Sequence, residues 1–294
     1  MDFFKFAVSQ NLPTGALFLV PTPIGNLADI TIRALHILQQ VDGIACEDKR
    51  HSGMLLNAYG ISKPLHAIHD HNEISASAYV IEKLKEGQRW AYISDAGTPG
   101  VSDPGALLTQ EVRQAGLPVI PLPGASAITT TISAAGDFLK NSEGGFQFLG
   151  FLPNKATQRD SYIKKALSAH VASFFYEAPH RVEGTLRALS ELIADNRRVL
   201  IAKELSKIFE DISIVHASEL NHWMNSIDSW QGEYVIGIEA APQDEKMSQM
   251  DETTLKWVAL LENQMGHKDL SEIVSEMTGL PKKDAYKELL ARKK

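Results

Sequence analysis

The sequence predicts two α/β domains followed by a small helical appendage, and three observations predict it. Short apolar runs of strand length alternate with segments whose apolar residues recur at helical spacing, the pattern of mostly parallel sheets covered on both faces. Residues 137–145 interrupt that alternation with a polar, glycine-containing stretch that reads as a linker. After Pro242-Gln243-Asp244 the composition shifts to helix formers and stays there. These breaks give a leader at 1–15, a first α/β domain at 16–136, a linker at 137–145, a second α/β domain at 146–242 and a helical tail at 243–294.

In the first domain, residues 17–20 form a short apolar strand closed by Pro21-Thr22-Pro23-Ile24-Gly25-Asn26. Asp29 stands where a helix N-cap belongs, ahead of Ile30, Ala34, Leu35 and Leu38. Strands at 43–46 and 65–68 end in Glu47-Asp48-Lys49-Arg50-His51 and His69-Asp70-His71-Asn72-Glu73. A helix over 75–85 stops at Gly87, as a C-terminal glycine dictates. The strand at 89–93 leads into residues 94–105, a long loop in which Asp103-Pro104 reads as N-cap and first-turn proline of the next helix. A fifth strand at 118–122 turns through Pro123-Gly124-Ala125-Ser126 into a helix ending at Gly136. The second domain has apolar strands at 146–151, 171–176, 199–202, 208–215 and 234–240, and the tail has helical patterns at 255–264, 270–277 and 283–290.

Composition excludes several classes. At 294 residues with 44% hydrophobic and 22% charged residues, the chain is an ordinary globular protein with room for two domains. A single cysteine, Cys46, excludes an intrachain disulfide framework and suits a reducing cytoplasm. The first ten residues have no apolar core of signal-peptide type, and no apolar run reaches the roughly 20 residues that span a bilayer. The expectation is a cytoplasmic protein without a membrane partner. A formal charge of −7 argues against nucleic-acid binding over the whole surface, yet residues 281–294 hold six basic and two acidic residues. Lys155, Arg159, Lys164 and Lys165 form a second basic run, and either run also fits a solvated helix face.

Five strand ends of the first domain finish in small or polar clusters, and in a parallel sheet they share one edge, where open α/β folds bind ligands. No G-x-x-x-x-G-K-[ST] loop is present. The position of a dinucleotide fingerprint holds Pro21-Thr22-Pro23-Ile24-Gly25 instead, so a pyrophosphate does not rest there. A ligand without phosphates, carrying a cation and a charged amino-acid end, suits Asp95 and the neighbouring amides; S-adenosylmethionine is one.

The clusters above, with Ser94-Asp95-Ala96-Gly97-Thr98-Pro99, Pro121-Leu122-Pro123-Gly124, Phe175-Tyr176-Glu177, His180-Arg181 and Lys203-Glu204-Leu205, resemble one family in order over residues 16–240. It is the bacterial small-subunit ribosomal RNA (cytidine-2'-O)-methyltransferases, a branch of the tetrapyrrole-methylase superfamily. Lys49 departs from the family's usual threonine, and Gly100-Val101-Ser102 is smaller than its usual stretch. The resemblance implies two α/β domains of tetrapyrrole-methylase type with S-adenosylmethionine in the cleft between them. It also implies a homodimer, and 2'-O-methylation of a cytidine, 1402 in customary small-subunit RNA numbering, in 16S rRNA of the small ribosomal subunit.

Carried onto this sequence, the resemblance places the cofactor against Pro23, Ile24, Asp95, Gly97, Thr98, Ser126 and Ala127, with Tyr176 and Glu204 on the second-domain side. Removing the 2'-hydroxyl proton needs a base, and His69, Glu47, Asp48, Glu177 and His180 are the candidates. Arg50, His51, Asn72, Arg181, Lys282 and Lys283 are the candidates for RNA contact, since guanidinium forks and ammonium groups hold phosphates. Other readings compete. Asp95 also reads as the cap of its own turn, and Tyr176-Glu177 with His180-Arg181 as a structural salt bridge at a strand end. His66, His69, His71 and Asp70 are metal-ligand types, but the expectation is no metal. Trp90, Phe174 and Phe175 fall inside apolar strands and read as core. At the level of function, the alternatives are methylation of a tetrapyrrole or other small molecule, and a non-enzymatic, ligand-responsive module that binds ribosomes.

Overall fold

The computed structural model describes residues 3–7, 10–69, 72–103, 105–142, 144–194, 196–242, 252–262 and 264–291. Five short strands build the first sheet: β1 (Leu17–Leu19), β2 (Gly43–Cys46), β3 (Leu65–Ala67), β4 (Trp90–Ile93) and β5 (Val119–Pro121). Their order is β3-β2-β4-β1-β5, and every pairing is parallel. Parallel neighbours need crossovers, and the helices supply them. These are α1 (Ile32–Gln40), α2 (Lys49–Ala58), α3 (Glu73–Lys85) and α4 (Ala106–Gln114), with α5 (Ala127–Ser133) leaving after β5. Two apolar layers cover the sheet, one around Phe18, Ile37, Leu38 and Ile44, the other around Leu17, Val80, Trp90 and Tyr92.

The second sheet contains β6 (Phe146–Phe151), β7 (Ala172–Glu177), β8 (Arg198–Lys203), β9 (Asp211–His216) and β10 (Tyr234–Ile238) in the order β6-β7-β10-β8-β9. Here the expectation of a mostly parallel sheet fails. Only β6 and β7 pair in parallel, while β7–β10, β10–β8 and β8–β9 are antiparallel. The cause is local: β8 and β9 are joined by a seven-residue turn at 204–210, too short for a crossover. Ile208 and Phe209, expected inside a strand, stand exposed in that turn. Helices α6 (Ala156–Leu167), α7 (Val182–Leu192) and α8 (Leu220–Asn225) cover one face, burying Phe175, Leu186, Leu189 and Ile236.

The other face of the second sheet meets the first half of the chain. Phe174, Leu200 and Val235 pack with Ile128 of α5 and with Phe138 of a 3-10 helix at Gly136–Ser142; Ile24 and Ala127 close on the same cluster. Trp90, Phe174 and Phe175 are core, as their strands dictate. The tail forms α9 (Glu252–Leu261), α10 (His267–Thr278) and α11 (Lys282–Ala291) around Val258, Leu270, Val274 and Leu289, an apolar cluster of its own. Among the described residues no helix is long and apolar enough to cross a membrane.

Two helix starts differ from expectation. Asp29 ends a 3-10 turn at Leu27–Asp29 opened by Asn26, and Thr31 caps α1 by accepting from the Ala34 N–H at 3.0 Å. Asp103 does not cap α4; Gly105 does, at φ +155, where a Cβ would lie 2.2 Å from the Tyr92 ring. Pro104, the other half of that expectation, lies outside the described residues.

Candidate functional site

The carboxyl ends of β1 and β4 are neighbours, so their loops meet above the sheet. Thr22 and Gly97 bridge them, each N–H donating to the other's carbonyl at 2.9 and 3.0 Å. The Thr22 hydroxyl donates to the Ser94 carbonyl at 3.1 Å, and Thr98 Oγ1 donates to the Ala125 carbonyl at 2.9 Å. Three loops are thereby fixed together.

Asp103 organises the far end of the long loop. Its carboxylate accepts from the N–H groups of Gly100 at 3.0 Å and Val101 at 3.1 Å, and from the Tyr92 hydroxyl at 3.3 Å. Burial pushes the Asp103 carboxyl up, against the lowering effect of those three donors. The same burial raises the Tyr92 hydroxyl far above its ordinary value.

The opposite wall comes from the second sheet. Glu177 at the end of β7 is buried and heavily engaged: Thr185 Oγ1 donates to it at 2.7 Å, the Ala178 N–H at 2.9 Å, and Arg181 Nε lies 3.1 Å away. The Arg181 guanidinium also donates to Asn154 Oδ1 and to the Leu152 carbonyl at 2.6 Å, fastening the segment after β6 to the end of β7. Beside them Tyr176 is half-buried, and desolvation raises its hydroxyl pKa.

Between these walls lies a cavity of about 350 Å³. Its first-domain lining is Ile24, Glu47, Ser94, Ala96–Thr98, Val101–Asp103, Ser126 and Ala127. Its second-domain lining is Phe151, Tyr176–Pro179, Leu205 and Glu233–Val235. The size suits a ligand of nucleoside dimensions. Carboxylates of Glu47, Asp103, Glu177 and Glu233 lie in the lining, and among the described residues no lysine, arginine or histidine does. Arg181 offsets Glu177, and Lys207 meets Glu233 at 3.0 Å. The wall is thus largely apolar, with four carboxyl groups of which two are held in ion pairs.

The family model for Tetrapyrrole (Corrin/Porphyrin) Methylases matches residues 16–221, which include every first-domain loop of this cavity and most of the second sheet. The chain belongs to the tetrapyrrole methylase family. Among curated members, it is 41% identical over 278 residues to the ribosomal RNA small subunit methyltransferase I of Pasteurella multocida, covering 94% of this chain and 97% of that one. It is 39% identical over 274 residues to the protein of the same name from Haemophilus influenzae, covering 93% and 95%. Among solved structures, the methyltransferase CobJ superposes with a TM-score of 0.56 at 20% identity over 78% of this chain and 95% of that one, a likeness of fold.

In this tetrapyrrole methylase the residues singled out from sequence separate into two sets. Ile24, Gly97, Thr98, Ser126, Ala127 and Tyr176 line the cavity, as do Glu47 and Glu177. Pro23 is buried and outside the lining. Asp95 does not line it: Asp95 Oδ1 accepts from the Asp48 N–H at 3.3 Å, tying the loop after β4 to the loop after β2. Glu204 is also outside the lining, because Lys207 Nζ at 2.7 Å and the Glu233 N–H at 2.9 Å hold its carboxylate.

The base and RNA candidates sort on the same grounds. Asp48 is the N-cap of α2, accepting from the N–H groups of Arg50 at 2.6 Å and His51 at 3.2 Å, and those bonds hold its pKa down. Glu177 and Arg181 form the salt bridge that was the structural reading of their motif. His69 and His180 are exposed and outside the lining. Asn72 is spent on local structure, accepting from the His69 N–H at 2.9 Å and donating to the Ala67 carbonyl at 3.0 Å. Arg50 and His51 are exposed on the first turn of α2. Lys282 and Lys283 are exposed on α11, with Lys282 paired to Glu272 at 2.5 Å. Asp70 and His71 lie outside the described residues, and among the described residues no cluster of metal-ligand side chains forms. Sequence reasoning missed Asp103, Phe151, Leu205 and Glu233 as lining residues. Asp103 carried a signal in its place in the glycine-rich loop and Leu205 in the Lys203-Glu204-Leu205 motif; Phe151 and Glu233 carried none.

Proposed function

We propose that the chain transfers a methyl group from S-adenosylmethionine to the ribose 2'-hydroxyl of a cytidine in small-subunit ribosomal RNA, acting in the cytoplasm as a homodimer. Near-full-length identity of about two residues in five to proteins named ribosomal RNA small subunit methyltransferase I carries this reading. The cavity is compatible with the cofactor. Its volume matches a nucleoside-sized molecule, and its largely apolar lining with carboxyl groups suits a ligand bearing a sulfonium and an ammonium group.

When bound, S-adenosylmethionine supplies an electrophilic methyl group on its sulfonium sulfur. Everything else falls to the chain. Ile24, Gly97, Thr98, Ser126 and Ala127 would hold the cofactor on loops already bonded to one another, so alignment with the attacking oxygen costs little reorganisation. Glu47, at the end of β2, is the cavity carboxylate we assign to accept the 2'-hydroxyl proton. Glu177 is unsuited to that part, because Thr185, Ala178 and Arg181 occupy its oxygens.

Purified small subunits, naked rRNA and a tetrapyrrole, each incubated with the chain and methyl-labelled cofactor, test the reading. Label on a cytidine 2'-oxygen of the subunit is the expected result. Label on the tetrapyrrole alone overturns it, and absence of transfer to every substrate favours a ligand-responsive binding module.

A further inference from the structure

Strand β6 carries three phenylalanines, and its alternation breaks once. Phe146 and Phe148 face the seam between the sheets, where Phe146 meets Phe174 at 6.2 Å and Phe148 meets Tyr176 at 4.7 Å between ring centres. Leu149 packs into the opposite layer, with the cluster of Ile163, Phe175 and Leu186. Regular pleating would continue by sending Gly150 to the cleft and Phe151 under α6 and α7. The register prevents it. Phe148 pairs with Phe174 and Phe151 with Tyr176, so three steps on β6 oppose two on β7. Gly150 takes the bulge at φ +66, Phe151 swings to the cleft, and Leu152 returns to the buried layer. Bulges next to functional sites re-aim a side chain in this way.

The re-aimed ring stands at the entrance of the cavity. Phe151 lines it yet remains 54% exposed, braced edge-on by Tyr176 at 5.4 Å and 64°. The buried part of the lining mixes Gly97 and Ser126 with Leu205, Tyr234 and Val235. Across the cleft the bulge meets the long first-domain loop, where a Cβ on Gly150 would lie 3.4 Å from Ser102 Oγ. A ring that leaves half its surface in water adds little to the core, so packing alone does not account for a bulge that turns it outward.

We infer that Phe151 is the stacking platform for a nucleobase of the RNA substrate, holding the target nucleotide at the cavity entrance with its ribose turned inward. The inference rests on the RNA reading proposed above. Unpaired bases are held on aromatic side chains, and a platform with one braced edge and one open face suits a ligand arriving from outside.

Phe151→Ala and Phe151→Leu, assayed on small subunits beside the wild-type chain, test it; the leucine keeps apolar bulk without a π-face. Expected is a fall in kcat/KM for subunits of about tenfold or more in both variants, with cofactor Kd by calorimetry within about twofold of wild type, and activity retained in Phe151→Trp. A rise in cofactor Kd with kcat/KM for subunits unchanged at saturating cofactor would assign the ring to the cofactor and overturn the inference. Wild-type kinetics in all three variants would overturn it as well. Failure of the wild-type chain itself to methylate subunits would overturn the proposed function, and this inference with it, which separates the two failures.

Discussion

Arg181 Nε lies 3.1 Å from Glu177 Oε1, and the Glu177 side chain has no solvent exposure at all. The pair fastens the end of β7 to the segment after β6, through the Arg181 bonds to Asn154 and to the Leu152 carbonyl. Removing one partner of such a pair strands a buried charge. Arg181→Met is therefore expected to cost about 3–5 kcal/mol of stability in urea unfolding. The double variant with Glu177→Gln should lose less than the sum of the two single changes. Because this guanidinium is turned inward, the salt dependence of subunit binding should not change in Arg181→Met.

Glu47 and Asp48 are adjacent in sequence and different in task. Glu47→Gln is expected to lower kcat on small subunits by about 10²–10⁴-fold while cofactor affinity holds. Asp48→Ala removes the α2 cap, so it should lower the melting temperature and leave most of kcat in place. Steady-state kinetics with parallel thermal melts separates them; equal loss of kcat in both variants would contradict the assignment.

The Asp48 carboxylate also sets a pH response. Backbone N–H groups of His51 and Arg50 hold its pKa below the ordinary value, so the unfolded chain takes up the proton more readily than the folded one. The cap's contribution is thus complete above the ordinary carboxylate pKa of about 4 and is lost as pH falls through the lower folded value. Denaturant melts of wild type and Asp48→Asn between pH 3 and 7 (roughly one unit below that pKa to three above) should diverge at the neutral end and converge at the acid end.

The tail is built to be separable. Its three helices bury Val258, Leu270, Val274, Leu280 and Leu289 against one another. Truncation after residue 242 is expected to leave cofactor affinity within about twofold by calorimetry, as an effect of cluster independence. Methylation of subunits should fall more, because exposed Lys283 and its neighbours on α11 go with it. An unchanged rate on subunits would remove the tail from substrate contact.

Much of the site was legible because turn chemistry is local. Prolines and glycines at Pro21–Gly25 and Gly97–Pro99 mark loops wherever they occur, and strand periodicity put them on one sheet edge. What escaped was set across strands. Periodicity reports which residues face a core and is silent on strand direction, so the mixed second sheet could not be read from it. Phe151 was invisible for the same reason, since a bulge is a mismatch between two strands. Asp103 misled because Asp-Pro is good capping chemistry, yet the Tyr92 hydroxyl and the Gly100 and Val101 amides drew its carboxylate back into the loop. The Glu177–Arg181 spacing fitted both a salt bridge and a functional pair, and the structure shows the two side chains paired, with Glu177 buried.

Ile24 and Ala127, which wall the cavity, close on the same apolar seam as Phe174, Val235 and Ile128. Halves joined by a common interior cannot gape like a hinged jaw, because parting them would uncover several side chains whose burial is worth about 1.5–3 kcal/mol each. Beside that seam the left-handed backbone of Ser102 lies against the Gly150 bulge, a second place where the two halves touch. A ligand between the two halves is therefore held by walls that share one interior, and the cavity keeps its width whether or not it is filled.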